Sequence, residues 1–150
     1  GVCVMSGMIS PFQMKKSRVV SFEFNQSEST DEYESRKVSF GADYEIAEVK
    51  EVDGILQSDL HLLIEMTGKT DTEEELFQIR LDIMGVFEGE SAQMNQERFL
   101  SMIKINGIST LMQLSRAYVT ASTALSGFVN PIRFPMVNVY ELVKRKESSI

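Results

Sequence analysis

The chain has 150 residues, 43% of them hydrophobic and 25% charged, with a formal net charge of −7 and a pI near 4.8. A chain of this length buries roughly 70% of its unfolded surface as one domain, the composition excludes a largely disordered polymer, and no stretch approaches the run of about 20 apolar residues that a membrane-spanning helix needs. The acidic balance repels phosphate backbones and no basic patch interleaved with aromatics offsets it, so nucleic acid is not an expected partner.

The start, GVCVMSGMISPF, lacks the basic region and long hydrophobic run of a secretion signal, so a cytoplasmic protein is expected, with residues 1–14 as a partly disordered extension. Lys15 to Gln26 alternates and predicts a first strand, with Arg18, Val20, Phe22 and Phe24 on one face and Val19, Ser21, Glu23 and Asn25 on the other. The acidic stretch SESTDEYES, 27–35, has no period and reads as a solvated loop. A second strand starts near Lys37, where Val38, Phe40, Ala42, Tyr44 and Ile46 alternate with Ser39, Gly41, Asp43 and Glu45. Beyond it Ala47, Val49 and Glu51 take the odd positions, and such a slip marks a β-bulge or the end of regular pairing.

Asp53-Gly54 is a two-residue hairpin signal, because both residues tolerate the positive φ of a type I′ turn. Leu56, Leu60, Leu62, Ile64 and Met66 then alternate with Asp59, His61, Leu63 and Glu65 as a third strand. In a fourth, Phe77, Ile79, Leu81 and Ile83 face away from Gln78, Arg80 and Asp82, before an apolar finish at Met84, Val86 and Phe87. Short connections predict an antiparallel meander of four strands with one buried face.

The period becomes helical after Ser91. Asn95 is the expected N-cap, Glu97 complements the helix dipole, and Phe99, Met102 and Ile103 form the inner stripe, with Gly107 expected to end the helix. A second helix follows between Gly107 and Gly127, where Leu111, Leu114, Tyr118, Ala121 and Leu125 form an apolar face widened by Ile108, Met112 and Val119. Ser115, Ala117, Thr120, Ser122, Thr123 and Ala124 keep its other surface thin. Residues 143–150 read as a polar, frayed tail after a domain over 15–142. The fold class is thus α+β: a four-stranded antiparallel sheet with two C-terminal helices packed on one face.

Catalytic chemistry finds little to work with. One cysteine, Cys3, excludes an internal disulfide, and with one histidine, His61, no closed zinc site is available. His61 lies mid-strand, opposite the apolar set, where a solvent-facing structural role is the simplest account and no triad is assembled. GxGxxG, GxxxxGK[ST] and HExxH are all absent, so catalytic residues, metal ligands and cofactors are all expected to be none. Nine methionines against no tryptophan is the unusual count. Methionine's flexible, polarizable side chain suits irregular core gaps and also surfaces that accept many partners.

Several short motifs fall in one order along this plan. The first strand carries Val20-Ser21-Phe22-Glu23 and the fourth ends Gly85-Val86-Phe87. Gln93-Met94 precedes the first helix, the second holds Arg116 and Val119-Thr120, and Phe134-Pro135-Met136-Val137-Asn138-Val139 follows it. Over roughly 12–140 the chain resembles the SecB family of protein-export chaperones, as a divergent member, and the last segment carries the most specific match, an F-P-x-φ-N-φ pattern with φ apolar.

The resemblance implies an ATP-independent chaperone that binds unfolded polypeptides or preproteins in apolar grooves for export, built as a homotetrameric dimer of dimers. Groove candidates are Phe22, Phe24, Phe40, Tyr44, Met84, Val86, Phe87 and Met112, each of which also reads as ordinary core. Ser115, Tyr118 and Ser122 on the thin helix face are candidates for a subunit contact. The family docks on the motor ATPase SecA through an acidic patch on the open sheet face, here Glu23, Gln78 and Arg80. In this chain Val19 and Arg80 stand where the family has acidic residues and Gln78 where it has an apolar one; only Glu23 fits. An acid exchanged for a base sets like charges against a cationic partner. The departure favours a second expectation: a dedicated chaperone or binding module for one partner, such as an antitoxin, without SecA docking.

Overall fold

In the computed structural model, residues 1–2, 6–28, 36–128 and 131–149 are described. Cys3 and most of the acidic loop, 29–35, lie outside them. Five strands form one antiparallel sheet: β1 (Phe12–Gln26), β2 (Lys37–Ile46), β3 (Lys50–Val52), β4 (Ile55–Lys69) and β5 (Glu75–Glu90). Their order is β1-β5-β4-β2, with β3 also paired to β4.

Two expectations are corrected here. The sheet has five strands rather than four, because the edge strand breaks where its phase slips: residues 47–49 leave the ladder, and β2 and β3 both pair with β4 on either side of the break. The Ser58 hydroxyl donates to the Ala47 carbonyl at 2.6 Å and holds the interruption in place. The sheet is also not a simple meander. β1 crosses to the far side of β5, so only the β2/β3 edge, β4 and β5 follow one another as neighbours in chain order, a Greek-key arrangement. The turn at Asp53-Gly54 forms as expected, with φ of 52° and 77°.

The unbroken alternation of β4 buries Leu56, Leu60, Leu62, Ile64 and Met66 on one face, opposite Phe77, Ile79, Leu81, Ile83 and Phe87 of β5. Each such side chain contributes roughly 1.5–3 kcal/mol over exposure. β1 does not keep one parity. Its ladder to β5 shifts between Met14 and Lys16 and again between Val19 and Ser21, and each bulge turns the side chains that follow to the opposite face. Val19, paired with buried Ile83, therefore joins Phe22 and Phe24 on the covered face, while Val20 is exposed.

Helix α1 (Gln96–Met102) starts at Asn95, whose Oδ1 accepts from the Arg98 backbone N–H at 2.8 Å. It does not stop at Gly107. A π turn (Ile103–Gly107) carries it directly into α2 (Ile108–Ser122), and Gly107 has right-handed helical φ and ψ of −65° and −50°. The glycine is there for proximity: a Cβ on it would lie 3.2 Å from Phe87 Cζ and 3.3 Å from Leu60 Cδ2. This long helix crosses the middle of the sheet on Ile103, Ile108, Leu111, Met112, Ser115 and Val119. Leu114, Tyr118, Ala121 and Leu125, expected as the inner stripe, are exposed.

A last helix, α3 (Val139–Ser148), takes up most of the expected polar tail. Asn138 caps it by accepting from the Glu141 N–H at 3.1 Å, Glu141 occupies the first turn, and Arg145 and Lys146 the last, each matching the sign of the helix dipole there.

Candidate functional site

The long helix divides the covered sheet face into two flanks. On the β1 side, Phe22 meets Tyr118 edge to face with ring centroids 5.1 Å apart, and Phe24 is half-buried beside it. On the β2 side lie 123–128 and the segment 131–138 that leads into α3. Two arginines fasten these segments. Arg36 donates to the Pro131 carbonyl at 2.8 Å and lies over the rings of Phe77 and Phe128. Arg116 of α2 donates to the Pro135 carbonyl at 3.0 Å and stands 5.6 Å from the centre of the Phe134 ring.

Between β2 and the segment that leads into α3 runs a cleft of about 740 Å³. Phe40 and Ala42 form one wall and Pro135, Met136, Val137 and Leu142 the other, while Asp43, Glu141, Arg145 and Lys146 supply the charges. Phe40 packs edge to face on Phe134 at 5.2 Å. The charges are paired: Arg145 Nε is 3.0 Å from Glu141 Oε1, and Lys146 Nζ is 2.8 Å from Asp43 Oδ1. The bond from Lys146 holds the Asp43 carboxyl below its usual range, and burial raises the Tyr44 phenol above its own. The cleft is an apolar trough without free buried charge, suited to side chains of varied shape rather than to one polar ligand. Among the described residues no three His, Cys, Asp or Glu side chains converge to hold a metal, and no helix is long and apolar enough to cross a membrane.

The predicted groove residues do not form one groove. Phe40 lines the cleft and Tyr44 is buried next to it, 5.5 Å below Lys146 Nζ. Phe22 and Phe24 lie on the other flank, with β5 and β4 between, a separation of about 14 Å at the usual strand spacing. Phe87 and Met112 are core: Phe87 is 1% exposed and stacks on Phe12 at 5.4 Å. Met84 and Val86 point to the opposite face, since their register partners His61 and Asp59 lie on the open side. Pro135, Met136, Val137 and Leu142, which complete the cleft, were not among the candidates. For the first three the signal was the apolar run Phe134–Val139, broken only by Asn138, which is too short for a core helix and holds a proline.

Of the expected subunit-contact residues, Tyr118 and Ser122 are exposed, but Ser115 is fully buried and its hydroxyl donates to the Leu111 carbonyl at 2.7 Å. The expected docking residues do come together on the open sheet face. Glu23 and Glu65 flank Arg80 on either side in register, Arg80 Nη1 is 3.1 Å from Glu65 Oε1, and Gln78 pairs with Asn25 and Thr67. His61 is half-exposed on the same face, 3.6 Å from Asp82.

No family model matches the sequence, and no curated protein matches it either. Among solved structures the chain is similar to the Mycobacterium tuberculosis SecB-like chaperone Rv1957, in complex with a ChAD peptide from the Rv1956 HigA1 antitoxin. The two are 10% identical, with a TM-score of 0.66 over 85% of this chain and 91% of the other. A protein of unknown function from Streptococcus agalactiae is also similar, at 12% identity and a TM-score of 0.49 over 83% and 97% of the two chains. At such low identity the likeness speaks for architecture alone: the chain carries the SecB-like fold.

Proposed function

We propose that this protein is a chaperone that holds extended, unfolded polypeptide segments without nucleotide. The observation that carries the reading is the apolar cleft beside β2 on a fold shared with a chaperone solved with an antitoxin peptide. Met136, 85% exposed at the cleft, gives the wall an adjustable surface that many sequences can satisfy. The reading is of a binder rather than an enzyme. Burial of one client side chain contributes about 1.5–3 kcal/mol, whereas association costs several times as much, so one cleft of this size holds a client weakly. Several linked clefts hold it well. The reading therefore includes a homo-oligomer, such as a dimer of dimers, with Tyr118 and Ser122 on the exposed side of α2 at a contact between copies.

The test is aggregation of a chemically denatured client protein diluted into buffer without nucleotide. Suppression at stoichiometric amounts of this protein is expected, and no suppression together with no client binding removes the reading. A second reading is a dedicated chaperone for one partner such as an antitoxin. It is favoured by Arg80, which stands between Glu23 and Glu65 at a position where the resemblance implies an acid for docking on SecA. Comparable affinity for a panel of unrelated unfolded proteins supports the general, export-serving role; tight binding to a single partner supports the dedicated one.

A further inference from the structure

We infer that α3 is a lid over the β2 flank, latched by two ion pairs, Lys146 with Asp43 and Lys104 with Glu147, and that its release uncovers Tyr44 and extends the cleft along β2. The inference rests on the reading of that cleft as a polypeptide site and concerns what controls access to it.

The two ends of α3 are held by different forces. Its N-terminal end is anchored by packing and capping: Val139 is buried, Leu142 and Val143 pack on the core, Asn138 caps the first turn, and Arg116 tethers the preceding Pro135. Its C-terminal end has no buried apolar residue. What fixes it is charge: Lys146 Nζ reaches Asp43 Oδ1 on the sheet edge at 2.8 Å, and Glu147 Oε1 accepts from Lys104 Nζ of the π turn at 2.9 Å. Adjacent residues thus clamp the helix to two separate elements.

A helix of 10 residues is marginal without such support. Both pairs are partly in water, where ion pairs are weak and screened by salt over about 8–10 Å. An apolar hinge at one end and a weak ionic catch at the other is the construction of a flap.

What lies beneath has a use. Tyr44 is 5% exposed and sits under the Lys146 side chain, in the same inward-facing row of β2 as Phe40, Ala42 and Ile46. With α3 lifted at its latched end, Tyr44 joins Phe40 and Ala42 of the cleft wall in one continuous apolar strip, long enough for an extended chain rather than a single side chain.

The experiment compares the wild-type chain with the Lys104→Met, Lys146→Met double variant, in which unbranched apolar stems replace both cations. Amide hydrogen exchange over 139–148 and 38–46 and the fluorescence of the anionic dye ANS are measured at 50 and 500 mM NaCl. Exchange in both segments is expected to quicken several-fold in the double variant, and in the wild type on raising salt, with little further salt response in the variant. ANS fluorescence is expected to rise in the variant, although two cations that would attract the dye are gone, and also in the wild type on raising salt, where no apolar side chain has been added; the two rises together identify uncovered apolar surface. The charge-swapped pair Lys104→Glu, Glu147→Lys is expected to restore slow exchange at that anchor. Exchange insensitive to both salt and substitution overturns the latch; faster exchange without added dye binding overturns the lid. Association of fluorescently labelled, reduced and carboxymethylated α-lactalbumin is followed in parallel. If the latch results hold and this probe never binds, the chaperone reading fails while the lid stands; if the probe binds the closed and released forms at equal rates, the lid does not gate the site.

Discussion

Gly107 lies against the ring of Phe87, so close that a Cβ on the glycine would fall 3.2 Å from Phe87 Cζ. The contact explains why a helix runs through a residue that ordinarily ends one. It also sets two effects against each other in Gly107→Ala: helix propensity favours alanine by about 1 kcal/mol, whereas overpacking a full core costs about 1–3 kcal/mol. Phe87 is stacked on Phe12, and Leu60, 3.3 Å from the same Cβ, is fully buried. Neither has room to yield, so overpacking wins. A net loss of about 1 kcal/mol is expected, read as a lower urea midpoint at unchanged slope; a variant more stable than the wild type would show that the helix can lift.

The latch residues carry a pH signature. The hydrogen bond from Lys146, helped by the Tyr44 N–H, lowers the Asp43 pKa from 3.8 against the opposing effect of desolvation, and the same bond raises the Lys146 pKa from 10.5. A depressed acid contributes stability above its unfolded pKa and loses it as pH falls through the folded value; a raised base contributes fully below its unfolded pKa and loses it as pH rises through the folded value. The pair is therefore intact across the neutral range and released at both extremes. Asp43 is more than half exposed, so the effect on global stability is small and the titration should be followed locally. NMR of the Asp43 carboxyl should give a midpoint below 3.8 that moves upward in Lys146→Met; an unmoved midpoint would contradict the pairing.

The cap of α1 offers a cleaner test of local energetics. Asn95 satisfies one of the four orphan N–H groups of the helix start one turn before Phe99, which is fully buried. Asn95→Ala should cost about 1 kcal/mol and Asn95→Asp close to nothing, both measured by urea unfolding. Equal losses in the two variants would mean that the side chain matters for packing rather than for the hydrogen bond.

How far the fold could be read in advance depended on whether one rule governed a segment. β4 has partners on both edges and keeps a strict period of two, so its buried and exposed residues were legible one by one. β1 obeys the same rule in three pieces, and nothing in KKSRVVSFEF marks where the two bulges reset it. Gly107 reads as a helix end because a glycine that ends a helix and one that admits a neighbour look alike without the neighbour. Met84 to Phe87 is buried on both faces, so the alternation that separates core from open face vanished where the candidate site needed it. α3 is not legible in the sequence because its C-terminal half is held by charges on β2 and the π turn, which leave no apolar period behind.

The contrast between Phe40 and Phe87 separates site from core. Both are phenylalanines on the covered face and both were groove candidates. Phe87 is 1% exposed, stacked on Phe12 and in contact range of the long helix at Gly107, so Phe87→Ala removes a central packing unit. It should cost about 3–5 kcal/mol, and its effect on client binding would follow from unfolding. Phe40 is half-buried at the cleft, with one aromatic partner in Phe134. Phe40→Ala should lose about 1–2 kcal/mol, a partial burial term plus the edge-to-face contact, and leave the unfolding transition cooperative. Its binding loss should be larger than that stability cost predicts: anisotropy titration of labelled, reduced and carboxymethylated α-lactalbumin is expected to weaken several-fold under conditions where the variant is fully folded. A folded Phe40→Ala that binds like the wild type would move the client site off the β2 flank, and Phe22 and Phe24 beside Tyr118 would then be the residues to substitute next.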